Sequence, residues 1–235
     1  MKSFSIIANL KANLSIDESE NWIKEFSQKY TADKNISVII APTFLNIASF
    51  HKEIIKLENV YLACQDVSIF NKGSHTGEIP VEFLSQHCQY AIIGHSERRA
   101  IHFQNNFYHE ENNEIIEKKI NNCIEVGVKP IVCFSRLDQI SNIASGVDLF
   151  AYEPPEAIGT GNFATIDSVK MMAQSSSDIT RNHFLYGGSI DKDNIQSFIS
   201  QDFINGVILA TAAKDVSHFL EILQIAGKYL IQYYS

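Results

Sequence analysis

Residues 151–161 read Ala-Tyr-Glu-Pro-Pro-Glu-Ala-Ile-Gly-Thr-Gly, and the fold is read outward from them. The apolar run Val147–Tyr152 has the length and character of a buried strand, and it ends in a single carboxylate, Glu153. A carboxylate at the C-terminal edge of such a strand stands where α/β enzymes place their chemistry. Pro154 and Pro155 then fix φ on one side, while Gly159 and Gly161 loosen the other, the pattern of a loop that swings between two hinges. A plain surface loop carrying a solvated Glu153 fits the same residues.

Elsewhere, short apolar runs alternate with polar-periodic segments, the βαβα pattern of a parallel sheet. Strands are expected near Phe4–Ala8, Ser37–Ala41, Val60–Cys64, Tyr90–Ile93, Pro130–Phe134, Asp148–Tyr152, Phe184–Tyr186 and Gly206–Leu209, with helices such as Asp17–Tyr30, Leu45–Leu57, Glu111–Val126 and Val216–Gln232 between them. Asp17, with Glu20 three residues later, reads as a capping box. Eight strands suit a closed (β/α)8 barrel, which typically takes about 250 residues, and this chain has 235. No Pro/Ser/Gly-rich linker interrupts the series, so residues 1–235 are expected to form one domain. Too few residues separate Phe134 from Asp148 for a long helix, so the fifth helix is expected to be shortened to about two turns.

Composition narrows the function. A net charge of −8 argues against a nucleic-acid partner, while 45% hydrophobic residues allow a substantial core. The cysteines, Cys64, Cys88, Cys123 and Cys133, form no CxxC pair, and the scattered histidines show no ligand spacing, so no metal site is expected. They read as reduced thiols of a cytoplasmic protein. The N-terminal stretch lacks the form of a signal peptide, and no apolar run reaches membrane-spanning length.

Further motifs stand at the expected strand ends. Asn9-Leu10-Lys11 follows the first strand, where a lysine can hold an anion as a point charge. Gly94-His95-Ser96-Glu97-Arg98-Arg99 follows the fourth. A histidine at a helix start is disfavoured as imidazolium, and a neutral ring can donate to a carbonyl oxygen. Taken alone, an exposed lysine and a helix-capping histidine fit as well. Tyr186-Gly187-Gly188-Ser189 follows the seventh strand, Ala210-Thr211 the eighth, and Gly73-Ser74-His75-Thr76-Gly77-Glu78 forms a loop after the third.

Together these segments resemble the triosephosphate isomerase family, whose pattern AYEP, two variable residues, then AIGTG matches residues 151–161. The resemblance implies a TIM barrel acting on small phosphorylated trioses without metal or organic cofactor. It casts Glu153 as base and His95 as electrophile. Lys11 holds the charge, Asn9 supports the site, and Ser96 and Glu97 support it from beside His95. Main-chain groups of Gly159, Ala210 and Thr211, with Ser189, would hold the phosphate. The family also forms a homodimer, in which Thr76 would reach the partner's site. Departures are plain: Ala210 and Thr211 replace glycines, Glu156 replaces a lid tryptophan, His75 replaces phenylalanine and Asp66 replaces asparagine. The added Cβ atoms of Ala210 and Thr211 are expected to crowd the phosphate or shift the backbone. A phosphate-binding lyase on the same barrel and a non-enzymatic binding protein are the competing readings, and intact Lys11, His95 and Glu153 argue against the second.

Overall fold

The computed structural model describes residues 4–99, 101–103, 106–143, 146–154, 164–181 and 183–234. Among them, eight parallel strands close into a barrel: β1 (Phe4–Asn9), β2 (Ile36–Ala41), β3 (Val60–Cys64), β4 (Tyr90–Ile93), β7 (Lys129–Phe134), β8 (Leu149–Tyr152), β9 (Phe184–Gly187) and β10 (Gly206–Leu209). The ring is sealed where β1 pairs with β10, Ala8 opposite Leu209. The missing numbers belong to a small antiparallel hairpin, β5 (Ile101–Phe103) and β6 (Asn106–His109), that the sequence pattern does not foretell.

Side chains alternate across each strand, and this sorts the core into two layers. Ile7, Ile39, Ile92, Ile131, Leu185 and Ile208 meet inside the barrel. Their neighbours Ile6, Ile93, Val132, Phe184 and Val207 face outward into the larger layer under the helices. The same period decides what reaches the mouth. Two residues beyond Ile7 stands Asn9, two beyond Ala151 stands Glu153, and two beyond Ile208 stands Ala210.

The main covering helices are α1 (Ile16–Lys29), α2 (Ile47–Ile54), α3 (Val81–Leu84), α4 (Ser96–Arg99), α5 (Asn113–Glu125), α6 (Ile166–Ser175), α7 (Ser177–Thr180), α8 (Ile195–Ile199) and α9 (Val216–Tyr234). Trp22 of α1 stacks on Phe26 and Phe50, leans against Phe219 of α9, and donates its indole N–H to Ala213 O at 3.0 Å. The cap of α1 lies two residues earlier than expected. Ser15, not Asp17, is the N-cap, with Ser15 Oγ accepting from Glu18 N–H and the Glu18 carboxylate accepting from Ser15 N–H at 2.8 Å.

The fifth unit is trimmed further than expected. Between β7 and β8 the described residues hold one 3₁₀ turn, Leu137–Gln139, in place of a two-turn helix. Ile140, fully buried, with partly buried Ile143 and Val147, joins the outer apolar layer there. No described helix is long and apolar enough to cross a membrane.

Candidate active site

The C-terminal mouth of the barrel gathers the three residues on which the chemistry is expected to rest. Lys11 adopts a left-handed backbone, φ 49°, just beyond β1. Asn9, buried at the strand end, holds that turn by accepting from Lys11 N–H at 3.1 Å. Gln65 closes it from the side, its amide donating to Lys11 O at 3.0 Å and Ala41 O at 2.9 Å. The Lys11 ammonium then lies 2.7 Å from Glu97 Oε1.

His95 follows Gly94, which has φ 69° and no room for a side chain because the Arg99 guanidinium lies 2.9 Å from where a Cβ would stand. The ring's protonation follows from its partners. Glu97 N–H can only donate, and it points at His95 Nδ1 at 3.2 Å. Nδ1 is therefore the acceptor, and the ring proton sits on Nε2. Glu97 Oε2 also lies 3.7 Å from Nδ1, too far for a hydrogen bond, and that carboxylate already pairs with Lys11.

His95 Nε2 lies 3.1 Å from Glu153 Oε1, and Glu153 Oε2 accepts from Ser96 N–H at 2.8 Å. Glu153 is 2% exposed, so in this structure its charge is met by protein donors in place of water. Its own N–H donates to Phe134 O at 2.7 Å, fixing β8's end against β7. Beneath it lies Cys133, whose thiol is pushed well above the usual range by burial and then by the nearby Glu153 charge. That thiol is a core group, not a nucleophile.

Arg99 is the scaffold behind this pair. Its guanidinium donates to Gly94 O at 2.9 Å and Cys133 O at 3.0 Å, joining the ends of β4 and β7.

Ser189 and Ala210 come level at the far rim when the register Ile208 with Gly187 is continued two residues. Ala210 has φ −119°, outside the left-handed region that would call for the glycine of the family resemblance. Thr211, exposed, opens a 3₁₀ turn, Thr211–Ala213. At both YGGS glycines a side chain would meet the protein itself. A Cβ on Gly187 would lie 3.1 Å from Glu153 Cγ, and one on Gly188 would overlap the Tyr186 ring. Tyr186 is the residue whose role the motif did not disclose. Fully buried and stacked on Phe198, it accepts from Ala164 N–H at 2.9 Å. Ala164 directly follows residues 155–163, so Gly159, Pro155 and Glu156 lie outside the described residues.

A cavity of about 580 Å³ opens beside Lys11, His95 and Glu97 and runs toward Asp66, Phe70 and Glu111. Thr76 is exposed near this side of the molecule, and residues 71–78 are all exposed. Four buried or partly buried charges form the cavity's back wall. Lys119 Nζ lies 2.6 Å from Asp66 Oδ1 and 2.8 Å from Glu111 Oε1, and Arg98 bridges the same two carboxylates at 3.0 and 2.6 Å. Among the described residues no group of three His, Cys, Asp or Glu side chains is placed to hold a metal.

Comparison with known proteins agrees with this geometry. The family described as triosephosphate isomerase matches residues 4–226. The triosephosphate isomerase of Mycoplasmopsis pulmonis is 33% identical, over 95% of this chain and 98% of its own length. That of Aquifex aeolicus is 32% identical over 93% and 97%, and that of Buchnera aphidicola 32% over 97% and 99%. With a closed eight-stranded barrel, a match across nearly its whole length and relatives covered almost end to end, this chain belongs to the triosephosphate isomerase family.

Proposed function

We propose that this chain interconverts dihydroxyacetone phosphate and D-glyceraldehyde 3-phosphate through an enediolate. Membership of the family makes it an isomerase. The observation that carries the mechanism is the contact of the Glu153 carboxylate, 3.1 Å away, with the Nε2–H of a neutral His95. A carboxylate shielded from water is a stronger base toward carbon, and a neutral N–H can polarise a carbonyl without protonating it outright. Glu153 would leave Ser96 N–H, take a proton from one substrate carbon and return it to the adjacent one. His95 Nε2–H would serve the two substrate oxygens in turn, and the Lys11 ammonium would offset the enediolate charge. The proton leaves and returns through one carboxylate, so the step balances without a redox partner.

Ser189 and the main chains of Gly159, Ala210 and Thr211 would hold the phosphate, with Asn9, Ser96 and Glu97 supporting. We read residues 1–235 as one barrel domain, acting as a homodimer in the cytoplasm within glycolysis and gluconeogenesis, with Thr76 near the partner's site. A coupled assay with glyceraldehyde 3-phosphate tests the reading beside Glu153→Gln. Fast turnover abolished in a folded Glu153→Gln protein is expected. No turnover by the parent protein would remove the isomerase reading, and full turnover by Glu153→Gln would remove Glu153 as the base.

A further inference from the structure

Arg99 is a buried cation whose hydrogen bonds all go to neutral acceptors. Its guanidinium, in a residue 8% exposed, donates to Gly94 O at 2.9 Å, to Cys133 O at 3.0 and 3.2 Å and to Asn113 Oδ1 at 3.3 Å. Among the described residues no carboxylate stands within ion-pair distance of it. The neighbouring cations do have such partners. Lys11 pairs with Glu97, Arg98 and Lys119 share Asp66 and Glu111, and Arg136 holds Asp138. A charge taken out of water without a counter-charge is costly, so the guanidinium draws on whatever negative charge lies beyond its hydrogen bonds.

Glu153 is the complementary case. It is 2% exposed, and its carboxylate meets only the neutral His95 ring and the Ser96 N–H. The two opposite charges are seated on neighbouring carbonyls of β7, since Arg99 donates to Cys133 O and Glu153 N–H donates to Phe134 O. Burial lowers the Arg99 guanidinium from its ordinary value, and Cys133, Glu153 and Glu111 oppose that in this order. Burial also keeps the Cys133 thiol neutral, which leaves Glu153 first among the charges that compensate Arg99.

We propose that Arg99 is a positioning residue whose uncommitted charge, acting across β7, keeps Glu153 ionised in a site closed to water. This rests on the reading of Glu153 as the base and adds to it the source of the field that holds the base in its working form. The groups facing Glu153 are His95 from the end of β4, Ser96 and Glu97 from α4, Cys133 from β7, uncharged Gly187 from β9 and Lys11 beyond β1. Those facing Arg99 are Cys133, Glu111 before α5 and Arg136 after β7. Removing a nearby cation favours the protonated carboxyl, so the acid limb of kcat/KM moves to higher pH when the Arg99 charge is removed or matched.

The pH profile of kcat/KM for glyceraldehyde 3-phosphate, in the parent, Arg99→Gln, Arg99→Lys and Asn113→Asp, tests this. The substrate phosphate titrates alike in every variant, so only differences between profiles are read. Arg99→Gln should move the acid limb up by about one unit, about a tenfold loss at pH values below both limbs. Arg99→Lys keeps the charge and loses the fork, so kcat should fall while the limb stays in place. Asn113→Asp leaves the guanidinium and its carbonyls intact and sets a carboxylate where Asn113 Oδ1 already accepts from it. Asn113 is exposed at the start of α5, where an aspartate suits the helix, so this variant carries the test even if Arg99→Gln fails to fold. Its limb should move up as well. An active parent whose limb is unmoved in Asn113→Asp, or a limb that moves as far in Arg99→Lys as in Arg99→Gln, overturns the charge role and leaves Glu153 as the base. A parent without turnover removes the isomerase reading and this role together.

Discussion

Gly187→Ala probes the base without touching it. Gly187 has an ordinary backbone, so alanine is not strained there, but its Cβ would come 3.1 Å from Glu153 Cγ, 3.5 Å from Tyr152 O and 3.7 Å from Glu153 Oε1. Carbon atoms in favourable contact sit about 3.5–4.0 Å apart, so Glu153 must yield by roughly 0.4 Å. It cannot yield freely, being buried against His95 and Ser96. A displacement of 1 Å near reacting atoms can cost about 100-fold in rate. Scaled logarithmically, roughly 0.4 Å lowers kcat by about six-fold. KM should change by less than about twofold, because the proposed phosphate contacts lie elsewhere and uniform binding is unaffected. Coupled steady-state kinetics in both directions, with a thermal melt as control for overpacking, measure this. An unchanged kcat in a normally folded Gly187→Ala protein would refute the reasoning, since the Glu153 position seen here would then not govern turnover.

His95→Gln should depress kcat by 100-fold or more, on the order of general acid–base contributions, while a phosphate-bearing inhibitor still binds, as inhibition kinetics would show. Tyr186→Phe leaves the Ala164 N–H without its partner, a loss of about 1–3 kcal/mol. Calorimetry should record a Tm lower by about 2–4 °C for each of those kcal/mol. Lys119→Met leaves Asp66 and Glu111 short of a buried cation and should cost about 3–5 kcal/mol in a urea titration. Burial raises the Asp66 carboxyl above its ordinary value, so the native state holds that proton longer than the unfolded chain does. Stability therefore falls as pH rises from the ordinary carboxylate value through the raised one, and Asp66→Asn should lack that slope in urea midpoints.

The barrel was legible because its strands are buried on both faces and read as unbroken apolar runs such as Ile36–Ala41 and Val60–Cys64. The short motifs around Lys11, His95 and Glu153 made their common placement at the barrel mouth legible. Local ambiguity hid other features. Ser15 with Glu18 and Asp17 with Glu20 are overlapping capping boxes, and only coordinates choose between them. The packing demand at Gly187 and Gly188 was not legible, because a glycine in sequence does not say what fills the space of its missing side chain. In this fold the filler is Glu153 and Tyr186. The paired strands Ile101–Phe103 and Asn106–His109 are too short for their pattern to announce them, and the buried charge network of Asp66, Arg98, Glu111 and Lys119 joins residues far apart in the chain.

The Arg99 tie also explains how the site keeps its spacing where the described residues after β7 form only a 3₁₀ turn. Gly94 O and Cys133 O are held by one guanidinium, and the next carbonyl, Phe134 O, receives Glu153 N–H. The gap between electrophile and base is thus set by a short local gauge across three strands, not by the circumference of the whole ring. Dimensional errors elsewhere in the barrel do not accumulate at that gap. Among the described residues between Phe134 and Leu149, a 3₁₀ turn and an apolar plug therefore suffice, because Glu153 N–H is fixed directly on Phe134 O across the intervening segment.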